Sequence, residues 1–124
     1  MFDKELAREI LTQIHNAAQT ILRRFEPIES VEDFTNSPGG MEKLDALCMQ
    51  LIAIGESIKN IDKITDASLL CQYTEIDWNG AKGLRDIVSH HYFDIDVEVI
   101  FSVCRDKIAP LVRTIERMLR DLGE

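Results

Sequence analysis

VEVIFSVCRDKIAPLVRTIERMLRDL, residues 97–122, decides the fold class. Val97, Phe101, Cys104, Ile108, Leu111, Ile115, Met118 and Leu122 recur with a regular 4-3 spacing, over about seven turns of helix. That spacing suits side chains that interlock with neighbouring helices in a bundle. Pro110 interrupts the run. It has no N–H to donate and clashes with the preceding turn, so a kink is predicted near Asp106. Asp94 or Asp96 is placed to cap this last helix.

Working back toward the start, the rest of the chain also reads as helices. Leu6, Ile10, Ile14, Ala17, Ile21 and Phe25 predict an amphipathic helix from about residue 3 to 25, stopped by Pro27. The stretch from about 26 to 40 is acidic and ends in Ser37-Pro38-Gly39-Gly40, a loop signal, with room for one helical turn around Val31 to Phe34. Met41, Leu44, Cys48, Leu51, Gly55 and Ile58 mark a second helix. Leu47, Ile54 and Ile61 widen its apolar stripe, which puts it at the centre of the fold. Gly55 costs about 1 kcal/mol of helix propensity relative to alanine, and such a glycine usually admits a second backbone at close range. Asp66 is placed to cap a short helix through Leu69, Leu70 and Cys71. Asp77 is placed to cap another helix, whose Trp78, Ala81, Leu84 and Val88 face inward and which ends near His90 or His91. No convincing period-2 segment, repeat or low-complexity tract is present. The expected architecture is all-α: an antiparallel bundle of four main helices plus a short helix, in a single domain over residues 1–124.

Composition excludes several classes. No apolar run reaches membrane-spanning length, and Met1-Phe2-Asp3-Lys4 does not begin a signal peptide. Cys48, Cys71 and Cys104 are scattered, odd in number and set in apolar surroundings, as reduced core thiols of a cytoplasmic protein would be. The net charge of −8 argues against broad, non-specific nucleic-acid binding, while leaving room for a local basic cleft. Arg113, Arg117 and Arg120 share one helical face, to be read either as an ordinary solvated face or as a contact for nucleic acid or an acidic partner. There is no CxxC, HExxH, glycine-rich phosphate loop, GxSxG or Glu-x-x-His pattern. His90 and His91 are adjacent, and on a helix point about 100° apart, which suits chelation poorly even with help from Asp94 and Asp96. Neither a metal site nor a cofactor is expected. His15 reads as a structural or solvent-exposed residue and Trp78 as a core anchor.

Chemistry concentrates in Arg85-Asp86-Ile87-Val88-Ser89-His90-His91-Tyr92. Arginine grips phosphate with a planar fork of donors. Histidine exchanges a proton near neutral pH. Together they suggest phosphodiester cleavage without a metal. RNA suits such a site because it carries its own nucleophile, the 2′-OH; His90 would act as general base or acid and Arg85 would stabilise charge at phosphorus. On one helix Ser89 and Tyr92 share the Arg85 face, whereas His90 lies about 140° away. A two-fold dimer would bring both groups to one cleft. The competing reading is that Arg85 pairs with Asp86 or another carboxylate while His90 complements the helix C-terminus.

With these residues in view, the chain resembles the HEPN superfamily, in particular HepT-like toxins of toxin–antitoxin pairs. The signature there is Arg, four to six residues, then His, often continued as His-x-Tyr; Arg85 to His90, followed by His91-Tyr92, has that form. Glu75-Ile76-Asp77-Trp78, Gly83-Leu84-Arg85 and Tyr92-Phe93-Asp94-Ile95-Asp96 resemble its flanks, and Ile54-Gly55-Glu56-Ser57 resembles a Gly-Glu motif on the second helix. The resemblance spans nearly the whole chain. It implies a homodimeric, metal-independent endoribonuclease with Arg85 and His90 catalytic and with Asp86, Ser89 and His91 in support. Many relatives carry Asn at the position of Asp86, whose charge here would weaken RNA binding or hold Arg85 in place. The resemblance also implies an MntA-like nucleotidyltransferase antitoxin that neutralises the toxin by transferring AMP to Tyr92. The alternative is a non-catalytic HEPN module that binds nucleotide, RNA or such a nucleotidyltransferase; a purely structural dimerisation role leaves the Arg–His–His–Tyr cluster unexplained.

Overall fold

A computed structural model describes residues 2–90 and 96–123, and for Ser89 and His90 the backbone alone. All regular structure among these residues is helical: α1 Lys4–Phe25, α2 Glu32–Thr35, α3 Pro38–Thr65, a 3-10 turn Leu70–Gln72, α4 Trp78–Lys82, α5 Leu84–His90, α6 Val97–Asp106 and α7 Ile108–Gly123. The four-helix antiparallel expectation holds once α4 with α5, and α6 with α7, are each taken as one helix broken in the middle.

α3 is the axle of the bundle. It packs against α1, α2, α4 and α5, and Leu44, Leu47, Leu51, Ile54, Ile58 and Ile61 are all fully buried. α1 runs antiparallel to α6 and α7: His15 meets Glu116, and Phe25 meets Phe101 at 5.3 Å between ring centroids. α4 and α5 run back along α3, with Lys82 paired to Asp62 and Arg85 to Glu56. Asp3 caps α1 by accepting from the Leu6 N–H, and Asp96 caps α6 by accepting from Glu98 and Val99.

Several local expectations are corrected. α1 buries Ala7, Leu11, Ile14, Ala18 and Ile21, leaving Leu6 exposed and Ile10, Ala17 and Phe25 half-buried. The inward face is therefore turned by about one position from the expected line, because α1 lies between α3 and α7 and must serve both. Ser37-Pro38-Gly39-Gly40 is not a loop but the first turn of α3: Ser37 accepts from the Gly40 N–H, and Pro38 occupies an early position where no N–H is needed. Asp66 caps nothing downstream. It ends α3 in the left-handed conformation at φ 53°, followed by Ala67 at φ 60°. Aspartate tolerates that geometry better than most residues. The helix expected from Asp77 to His90 breaks at Gly83, whose N–H is shared among the carbonyls of Asn79, Gly80 and Ala81. The break expected at Pro110 falls between Asp106 and Ile108, as a missing N–H four residues on requires. Of the three cysteines, Cys48 and Cys104 are buried thiols, but Cys71 is exposed. No helix among the described residues is long and apolar enough to cross a membrane.

Candidate active site

α5 reaches its place through contacts made before it begins. Asp77 caps α4 by accepting from the Gly80 N–H. Trp78, partly buried, donates from Nε1 to the Tyr73 carbonyl at 2.8 Å. The Tyr73 hydroxyl in turn donates to Asp121 on α7 at 2.6 Å, and Arg117 lies over its ring while pairing with Glu75 at 2.6 Å. Burial and the Asp121 carboxylate push the Tyr73 phenol up to about 12. The loop ahead of α4 is thus tied to α7.

Gly55 then admits α4 and α5 to the surface of α3. A Cβ on Gly55 would lie 3.0 Å from the Ala81 carbonyl oxygen and 3.6 Å from the Arg85 nitrogen. Leu84 and Val88 are buried against the core, which turns Arg85, Asp86 and Ile87 outward. The Arg85 side chain is 54% exposed, and its Nε lies 3.0 Å from Glu56 Oε1 on α3. So Arg85 does pair with a carboxylate, but with Glu56 rather than Asp86. Asp86 is exposed beside it.

The backbone of α5 continues to His90, five positions after Arg85. The side chains of Ser89 and His90, and all of His91, Tyr92 and Asp94, lie outside the described residues. Among the described residues no group of three His, Cys, Asp or Glu side chains is arranged to hold a metal ion. Two surface grooves lie elsewhere: about 390 Å³ between α1 and α3, and about 400 Å³ around Asp62, Trp78 and Lys82. Arg85 lines neither. It stands on an exposed surface of α5.

The arginine face of α7 has an ordinary explanation at Arg117, which is committed to Glu75 and Tyr73. His15 is half-buried, its Nε2 lying 2.9 Å from Glu116 Oε2 on α7. Glu56 is the residue that sequence reasoning left without a role. Its signal was its place next to Gly55, the one helix-interior glycine that implied close backbone approach.

An all-α bundle whose short helix α5 carries an exposed arginine five positions before a histidine defines a class, and comparison with known proteins agrees. The Ribonuclease HepT-like family matches residues 14–118, and the chain belongs to that family. A protein of Methanocaldococcus jannaschii provisionally named an RNase is 30% identical over 103 residues, which cover 78% of this chain and 82% of that protein. One of Caldanaerobacter subterraneus subsp. tengcongensis, provisionally named likewise, is 26% identical over 113 residues, 91% of this chain and 94% of that protein. No solved structure matches significantly.

Proposed function

We propose that this chain is a metal-independent endoribonuclease toxin that works as a homodimer, with Arg85 and His90 catalytic. The observation that carries the reading is Arg85, more than half exposed on α5 five positions before His90, in a chain of the HepT-like ribonuclease family. His90 takes the proton from the 2′-OH or delivers one to the leaving 5′-oxygen. The 2′-oxygen bonds to phosphorus, the bond to the 5′-oxygen breaks, and a 2′,3′-cyclic phosphate results. Arg85 stabilises the charge that gathers on the phosphoryl oxygens. Asp86, Ser89 and His91 support the site. A second copy closes the cleft, a reading supported by the open setting of Arg85 and by Ile87, an apolar side chain 41% exposed on the same helix. The protein is cytoplasmic and paired with an MntA-like nucleotidyltransferase antitoxin; AMP placed on Tyr92 adds an anionic group that opposes phosphate binding.

The test is cleavage of RNA in EDTA by protein that mass spectrometry shows to be free of AMP. Wild type should leave ends bearing a cyclic or 3′-phosphate and spare DNA, while His90→Ala should lose about 100-fold or more in rate. Equal cleavage by both would remove His90 from the mechanism. Sedimentation at micromolar concentration should show a dimer, and a monomer would undercut the shared cleft. One observation favours a second reading, a non-cutting module for nucleotide, RNA or the nucleotidyltransferase: Glu56 and Asp86 make the surroundings of Arg85 acidic. Binding of RNA without cleavage at any pH from 5 to 8 would select it.

A further inference from the structure

Glu56 has no part in the reading above, on which the following rests. It belongs to α3 and Arg85 to α5, and the two helices meet at Gly55, the residue before it. The same absence of a side chain that lets the Arg85 backbone approach α3 therefore sets the carboxylate within 3.0 Å of Nε. The pair is not a stabilising device. Both side chains are about half exposed, 54% and 42%. Such pairs contribute about 0–1 kcal/mol and are screened by salt. Its effect is on geometry. A free arginine side chain carries about 2 kcal/mol of rotamer entropy, part of which must be lost whenever it grips a phosphate. Engagement at Nε, the nitrogen nearest the stem, loses that freedom in advance. The contact is at Nε, and Nη1 and Nη2, which match two phosphoryl oxygens, make no hydrogen bond among the described residues.

We propose that Glu56 is a positioning residue for Arg85: its carboxylate holds the guanidinium by Nε so that Nη1 and Nη2 face the scissile phosphate. A carboxylate this close also repels bound RNA. Its removal therefore weakens the transition state without weakening ground-state binding. That separates it from a residue that merely supports the fold or attracts substrate.

The experiment compares wild type, Glu56→Ala, Glu56→Gln and Arg85→Ala on a short RNA in EDTA, and records the ¹⁵N heteronuclear NOE of the Arg85 Nε–H group. In Glu56→Ala, kcat should fall about tenfold with KM unchanged or lower. The urea midpoint should stay the same and the Arg85 NOE should drop. Glu56→Gln keeps an acceptor at the same reach and should recover part of kcat. A Glu56→Ala kcat at or above wild type, a rise in KM alone, or an undiminished NOE would overturn the proposal. If wild type itself does not cut RNA, the ribonuclease reading fails instead, and the NOE alone then decides whether Glu56 orders Arg85. An Arg85→Ala variant that cuts as fast as wild type would remove Arg85 from the mechanism and overturn the proposal.

Discussion

Gly55 carries no side chain, and the placement of Arg85 depends on that. The Ala81 carbonyl oxygen and the Arg85 nitrogen sit where a Cβ and its substituents would go. Gly55→Val should therefore destabilise the fold by about 2–3 kcal/mol, since overpacking in a close-packed site forces backbone to move. Urea unfolding measures the loss, and an unchanged midpoint would mean that α4 and α5 do not lie on α3 in solution. The close approach was legible in the sequence, because a glycine inside a long apolar helix needs a reason. What approaches was not: nothing in the spacing tells which carboxylate Arg85 meets, and the nearest in sequence, Asp86, is not the one.

At the scale of elements, helix ends were read unevenly. Asp77 and Asp96 cap helices as their positions before apolar runs suggest, and Asp3 caps α1. Ser37-Pro38-Gly39-Gly40 misleads because two glycines and a proline signal a loop, while Ser37 and Pro38 are equally suited to a helix start. The end of α3 misleads in the opposite sense: Asp66 and Ala67 take left-handed geometry without a glycine to announce it. A left-handed alanine costs about 1–2 kcal/mol, and glycine gives back about 0.5–1 kcal/mol of that in unfolded-state entropy. Ala67→Gly should therefore raise stability by about 0.5–1 kcal/mol, read as a higher urea midpoint. A lower midpoint would show that the turn is not left-handed.

The whole molecule is held by ties that join distant elements, and these give it a distinct response to alkali. Burial raises the Cys48 thiol to about 11 and the Cys104 thiol to about 12, and the Tyr73 phenol, buried and donating to Asp121, also rises to about 12. Each folded-state value lies above its ordinary one, 9.0 for the thiols and 10.0 for the phenol. The folded chain therefore keeps protons that the unfolded chain releases. Their contribution is complete below about pH 9 and is lost as pH rises through about 12. Urea midpoints should fall across that range. Tyr73→Phe should flatten the part above pH 10, because the phenol no longer titrates; an equally steep fall in the variant would assign the loss elsewhere.

The sequence by itself determined the helical class, the four main segments, the break near Pro110 and the candidate chemistry of Arg85 and His90, because apolar period, proline and residue type are local properties. Tertiary structure alone decided which face of α1 turns inward, that α4 and α5 separate at Gly83, that Cys71 is exposed while Cys48 and Cys104 are not, and that Arg85 meets Glu56. Those outcomes depend on which helix lies beside which. A pattern within one helix records how much surface it buries, not the side chain that waits on its neighbour.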